Sequence, residues 1–223
     1  MFGDKDEREI VANTRVFPYS AICYLETTFP DGTVMRSTGF MIYKDLVLTS
    51  AHSVYFHIYG GGAKSVKVVP AKNGKTDEPW GHAMVTSIRL DAKWVDSMDP
   101  SEDWSLLRLD SNIGDKVGWI GIAFSYDYSY FANGESVTLT GYPLATERGY
   151  RQYTMRAPVV QANALHLIYE VDTEKGQSGA PVMDDPGYAI AINSKEQEIE
   201  QGTYNQGVNI TRDRFNLFVS EMY

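Results

Sequence analysis

A serine hydroxyl attacks a carbonyl carbon only when a base takes its proton, and the oxygen driven negative needs hydrogen-bond donors aimed at it. The stretch Gly176-Gln177-Ser178-Gly179-Ala180-Pro181 offers the hydroxyl and the donors. Without a Cβ, Gly176 can turn its N–H toward the same point as the N–H of Ser178, and Gly179 lets the chain approach closely. The base is offered by His52, which closes Leu46-Val47-Leu48-Thr49-Ser50-Ala51-His52, an apolar strand running into a turn of small residues. Asp103 stands at the mouth of the segment Trp104-Ser105-Leu106-Leu107-Arg108-Leu109. A carboxylate there can accept the Nδ1–H of a histidine, fix its tautomer and stabilise the imidazolium. Together the three residue types would perform acyl transfer, hydrolysing an amide through a covalent acyl-serine.

Each residue also has an ordinary reading when taken singly. Gly and Ser dominate turns, a lone histidine is more often structural, and a loop aspartate is more often solvated. The setting separates these residues from others of their type. His57 follows Tyr55-Phe56, His166 lies between Leu165 and Leu167, and neither they nor His82 end an apolar strand in small residues. Asp96, Asp99 and Asp110 are not followed by the aromatic-small-apolar run that follows Asp103.

Rigid elements must position such a constellation, and the chain supplies strands. Segments rich in Val, Ile, Tyr, Phe and Thr recur between turn signals, at Ala21 to Glu26, Phe40 to Tyr43, Leu46 to Thr49, Val66 to Val69, Ser105 to Leu109, Ser136 to Thr140 and Tyr188 to Ile192. These spacings predict an all-β protein. Pro30-Asp31-Gly32 and Lys44-Asp45 fit reversals, and Tyr59-Gly60-Gly61-Gly62 reads as loop. One helix is predicted from Arg212 to Tyr223, where Phe215, Phe218, Val219 and Met222 form one apolar stripe behind a Thr211 cap. The polar stretch Ser111 to Gly118 is the best internal seam. It suggests domains at 1–115, carrying His52 and Asp103, and 116–223, carrying Ser178, with a cleft between them.

Composition removes several classes of function. With 29 acidic against 20 basic side chains, the 223-residue chain carries a formal net charge of −9, which argues against nucleic acid as a partner. A hydrophobic fraction of 43% is enough for a real core, and no apolar run is long enough to span a bilayer. Cys23 is the only cysteine, so neither an intrachain disulfide nor a cysteine-held metal is expected. The first thirty residues lack the basic start and apolar stretch of a signal peptide.

In this order and context, the chain resembles the chymotrypsin-like serine peptidases, and more closely the bacterial glutamyl endopeptidases and exfoliative toxins. The resemblance rests on Val11-Ala12-Asn13-Thr14-Arg15-Val16, Ser37-Thr38-Gly39-Phe40, Thr49-Ser50-Ala51-His52, Asp103-Trp104-Ser105-Leu106-Leu107, Gly141-Tyr142-Pro143, the Ser178 loop and the final helix. It implies two six-stranded antiparallel β-barrels with a C-terminal α-helix. His52, Asp103 and Ser178 would be the catalytic residues, and the N–H groups of Gly176 and Ser178 the oxyanion hole. It further implies no cofactor or metal, a protein or peptide substrate, a monomer, and a secreted enzyme whose leader has been removed. In animal relatives a newly cut amino terminus pairs with an aspartate before the nucleophile; neutral Gln177 here excludes that ion pair.

Specificity is the point at which the pattern breaks. The glutamyl endopeptidases line the main pocket with a threonine or serine five positions before the nucleophile, matched by Thr173, and with a histidine on a later strand, where this chain has Asn193. Lys175 at the expected rim, together with Lys195, is a candidate to hold an acidic side chain in place of that histidine. Asp172 stands where trypsin-like enzymes carry the acid that binds Arg or Lys. The ranking is therefore acidic preference first, basic second and a narrow toxin-like specificity third. A catalytically silent protein-binding member of the fold is the rival from another class.

Overall fold

A computed structural model describes residues 7–144, 150–200 and 202–223. The apolar segments become strands because each finds a partner on both sides, which satisfies the backbone and buries the side chains together. After β1 (Glu9–Ile10) come β2 (Ile22–Thr28), β3 (Val34–Tyr43), β4 (Leu46–Thr49), the two-residue pair β5 (Tyr55–Phe56) and β6 (Gly61–Gly62), β7 (Ser65–Pro70), β8 (Ala83–Leu90) and β9 (Ser105–Leu109). Strands β2-β3-β4-β9-β8-β7, in that order, form a closed antiparallel barrel. Strand β4 lies between β3 and β9 and is buried at every residue.

The second group is β10 (Ser136–Gly141), β11 (Tyr153–Ala162), β12 (His166–Tyr169), β13 (Pro181–Met183), β14 (Ala189–Ile199) and β15 (Gly202–Asn209). Its order is β11-β10-β13-β14-β15-β12, and pairing of β11 with β12 closes a second six-stranded antiparallel barrel. The fold is the expected pair of barrels. Among the described residues, helices α1 (Ala92–Ser97), α2 (Gly114–Val117) and α3 (Arg212–Ser220) punctuate it. Thr211 caps α3 by accepting from the N–H of Arg214.

One local expectation needs correction. Tyr59 to Gly62 is not plain loop: Gly61 and Gly62 pair with Phe56 and Tyr55, since backbone pairing needs no side chain. The Ser111 to Gly118 seam contains α2, and Gly114 packs so closely that an added Cβ would meet the backbone of Lys44 and Tyr43 at 2.7 Å. The chain ends also cross the seam. β1 joins the second sheet through Glu9↔Thr154, while Phe218 of α3 packs edge-on against Trp104 of the first barrel at 5.1 Å.

Candidate active site

Strands β4 and β9 lie side by side, with Thr49 opposite Ser105. That register places a residue three positions beyond Thr49 beside one two positions before Ser105. These are His52, in the 3-10 turn Ala51–Ser53, and Asp103, just after the turn Pro100–Glu102. Asp103 is 2% exposed, yet its oxygens are fully committed. Oδ1 accepts the backbone N–H of His52 at 2.9 Å, while Oδ2 lies 2.7 Å from His52 Nδ1 and accepts from Ser194 Oγ at 2.5 Å. The neighbouring Glu102 accepts from Trp104 Nε1 and from Arg214 of α3, which braces this loop.

Burial alone would push the His52 pKa down, but the Asp103 charge and hydrogen bond outweigh it and the result is upward. For Asp103 burial pushes up, whereas the His52 charge and the hydrogen bonds from His52 and Ser194 hold it below the usual carboxylate range. An ionised Asp103 can only accept, so the neutral imidazole carries its proton on Nδ1 and leaves Nε2 open as a base.

The Ser178 loop, between β12 and β13, is shaped by glycine. Gly176 has φ +98° and Gly179 φ +83°; a Cβ would strike Tyr142 O at the first and Thr38 O at the second. Thr38 of β3 ties this loop to the first barrel. Its N–H donates to Ser178 O at 2.9 Å, and its Oγ1 donates to Gly176 O at 2.8 Å. The remaining amides can be counted. Gln177 N–H donates to Glu174 O, Gly179 N–H to Asn193 O and Ala180 N–H to Gln177 O. Among the described residues, the N–H groups of Gly176 and Ser178 have no acceptor. Unpaired N–H groups are rare in folded proteins because each costs about 1–3 kcal/mol when buried, so two on one turn mark a place built for an outside oxygen.

Ser178, His52 and Asp103 line one groove of about 430 Å³ with Phe56, Trp94, Met98 and Pro100. The Ser178 hydroxyl makes no hydrogen bond to His52 among the described residues. A second cavity of about 260 Å³ adjoins Ser178 and is lined by Thr173, Glu174, Lys175, Asn193, Ser194, Lys195 and Glu196. The structure thus brings Thr173, Lys175, Asn193 and Lys195 beside the serine. Asp172 is the exception. It is fully buried, does not line the cavity, and its Oδ2 accepts the N–H of Glu7 at 3.2 Å. The acid proposed from sequence to bind basic side chains is therefore turned toward the N-terminal segment.

Asn193 is more constrained than its type suggested. Its Nδ2 donates to Gln177 O at 3.0 Å and its Oδ1 accepts from Tyr169 OH at 2.7 Å, leaving one N–H for a substrate. Thr173 Oγ1 donates to Asn205 Oδ1. Sequence reasoning missed Ser194, which completes the hydrogen bonding of Asp103. Nothing in its type marks it, and only its place beside Asn193 on β14 could have. Thr38 was quoted within a motif but without a role; a threonine in a strand buried around it was the available signal.

Closed paired barrels with this cleft between them define a chymotrypsin-like fold, and residues 9–219 match the family described as Trypsin; the chain belongs to that family. Among its relatives are an "Extracellular metalloprotease" of Bacillus subtilis (strain 168), 31% identical over 216 residues, and a "Glutamyl endopeptidase" of Bacillus licheniformis, 30% identical over 219 residues. Each match covers 95% of this chain and 66% of the relative, so the chain spans just under two thirds of their length. A solved structure of a Glu endopeptidase in complex with MPD superposes with a TM-score of 0.85 at 25% identity, covering 99% of this chain and 98% of that one. The protease Anisep from Arthrobacter nicotinovorans shares the fold, with a TM-score of 0.77 at 18% identity over 96% of this chain and 99% of its own. The name of the first relative implies a metal. Among the described residues, no three His, Cys, Asp or Glu side chains are grouped to hold one, and the residues at the cleft do not fit such a centre.

Proposed function

We propose that the chain is a serine endopeptidase working through an acyl-enzyme, with Ser178, His52 and Asp103 as catalytic residues. Ser178 Oγ bonds to the peptide carbonyl carbon while His52 Nε2 takes its proton; Asp103 steadies the imidazolium. The developing oxyanion is held by the N–H groups of Gly176 and Ser178, an effect worth about 3 kcal/mol per donor. When the carbon–nitrogen bond breaks, His52 delivers the proton to the leaving amine. Water, deprotonated by His52, then releases the acyl group and restores Ser178. The observation that carries this reading is the His52–Asp103 contact in the same groove as a serine flanked by two uncommitted N–H groups. A Ser178–His52 hydrogen bond is of the kind that forms only when substrate fills such a site.

The preferred substrate has Glu or Asp before the scissile bond. The pocket carries Lys175 and Lys195, both exposed and without ion-pair partners among the described residues, against Glu174 and Glu196. Arg8, 3.2 Å from Glu174, offsets one of those acids. The names of the Glu endopeptidase neighbour and the Bacillus licheniformis relative support the same preference, and the extracellular designation of the Bacillus subtilis relative supports secretion. Among the described residues, no helix is long and apolar enough to cross a membrane.

The test is fluorophosphonate labelling and digestion of a mixed peptide library, each beside Ser178→Ala. Labelling and cuts after Glu or Asp, both lost in the variant, are expected. Labelling that survives Ser178→Ala would remove this serine from the mechanism, and an inert chain would leave a protein-binding member of the fold. Cuts after Arg or Lys would overturn the acidic preference.

A further inference from the structure

The segment just before β1 delivers an arginine into the Ser178 loop. The side chain of Arg8 is 4% exposed, a rare condition for a guanidinium that must be matched by acceptors. Its Nη1 donates to Gln177 Oε1 at 3.0 Å and lies 3.2 Å from Glu174 Oε2. The same Gln177 Oε1 accepts the N–H of Glu174 at 3.0 Å, and Glu174 O accepts the N–H of Gln177 at 3.1 Å. Residues 174–177 therefore form a turn closed twice upon itself and clamped from outside by Arg8. That turn contains Gly176, whose N–H is one of the two uncommitted donors, and Gln177 directly precedes Ser178. Gly176 at φ +98° is held by no side chain of its own. The orientation of its peptide depends on its neighbours, and Gln177 is fixed through the amide that Arg8 grips.

The geometry points to Arg8 as a positioning residue for this reaction, holding the Glu174–Gln177 turn so that the N–H groups of Gly176 and Ser178 converge on the same point. The inference rests on the peptidase reading for its effect on rate, but the clamp itself does not. Arg8 touches neither substrate nor reacting atoms, and its removal would act through the donors it keeps in place.

The full chain is compared with Arg8→Met, Arg8→Lys, Glu174→Gln and the double variant Arg8→Met/Glu174→Gln. In Arg8→Met, hydrogen exchange across residues 174–178 quickens while the barrel strands keep their protection. kcat on a glutamyl peptide falls roughly tenfold or more, short of the ~10²–10³ for deleting a donor outright, with KM within about twofold. Fluorophosphonate labelling, which uses no acidic side chain, slows in parallel. Arg8→Lys recovers part of the rate because an ammonium can reach Gln177 Oε1 but lacks the planar fork. Glu174→Gln does not rescue Arg8→Met. Unchanged exchange at 174–178 in a folded Arg8→Met overturns the proposal. So does rescue by Glu174→Gln, which would make Arg8 a mere counter-charge. If Arg8→Met fails to fold, Arg8→Lys carries the same readouts. If the parent chain itself neither labels nor cleaves, the peptidase reading fails while hydrogen exchange still decides the clamp.

Discussion

In the first barrel the reactive pair hangs from two adjacent strand ends, whereas in the second the serine sits on a loop shaped by glycines and braced from elsewhere. His52 and Asp103 are placed by the Thr49↔Ser105 register, so the sheet that folds the barrel also sets their distance. Ser178 depends instead on Gly176 and Gly179, on Thr38 reaching across from the first barrel, and on Arg8 from the N-terminal segment. On the proposed mechanism, proton handling is thus built into backbone pairing, while the nucleophile and oxyanion donors lie on a loop and the pocket adds Asn193, Ser194, Lys195 and Glu196 from β14. The first arrangement resists variation because a register slip would move both residues at once.

The sharpest way to break this contrast is to remove one member from each side. Ser178→Ala is expected to cost about 10⁶ in kcat, since an acyl-serine cannot form, measured by single-turnover hydrolysis. Asp103→Asn leaves the nucleophile intact and is expected to cost roughly 10⁴, because an amide cannot hold the same imidazole tautomer. The two losses should not multiply in the double variant, as the residues act as a unit; multiplicative losses would show that the barrels contribute independently.

The pH profile sharpens the same point. His52 must be neutral to take a proton, and its pKa lies above 6.5, so activity falls as pH drops through a value above 6.5. In Asp103→Asn only burial remains, and the acid limb should move to lower pH. The same shifts set a stability window. Asp103, held below 3.8, adds stability present above that pH and lost as pH falls through its folded value. His52, held above 6.5, adds stability present below that pH and lost as pH rises through its raised value. Thermal midpoints of Asp103→Asn that follow the same pH curve as the parent would contradict this assignment.

On the second barrel the corresponding experiment is Asn193→Ala. It leaves the buried Tyr169 OH without its partner and takes one of two donors from Gln177 O, which keeps the Ala180 N–H, so a destabilisation of about 1–3 kcal/mol is expected from denaturant midpoints. A change within 0.5 kcal/mol, within the usual scatter of surface substitutions, would mean that water replaces the amide there.

The contrast also decides what could be read from the sequence. The apolar strands around His52 and Asp103 were legible because β4 and β9 are buried throughout or nearly so and read as unbroken runs. Strand β15 was not, since Gly202–Asn209 buries Gln206 together with Asn205 and Asn209, whose side-chain partners lie far away in the chain. Strand β8 escaped because most of its residues are exposed or half-buried, and helices α1 and α2 are too short to show a period. Ser178 and Gly176 were marked by local sequence. Ser194, Thr38 and Arg8 act through contacts that only the fold creates. Asp172 misled because sequence position carries no side-chain direction, and its carboxylate turns to Glu7.

The smallest expected effect concerns the feature least fixed by the fold, the pair of exposed lysines at the pocket. Replacing Lys175 and Lys195 together by Ala should leave kcat almost unchanged and lower kcat/KM several-fold for a glutamyl peptide, because exposed pairs are each worth only about 0.2–1 kcal/mol. The glutaminyl analogue supplies the control, since it fills the same volume without charge and should be affected less. Raising salt from about 0.05 to 0.5 M ought to erase most of the difference between the two peptides in the parent, as the screening length shrinks below the size of the pocket rim. Should the double variant keep the full Glu-over-Gln ratio, the lysines are solvated surface, and acidic preference would have to rest on Asn193's remaining N–H and Thr173. A ratio that inverts in favour of basic peptides would mean that Glu196, once its opposing charges are removed, governs what the pocket accepts.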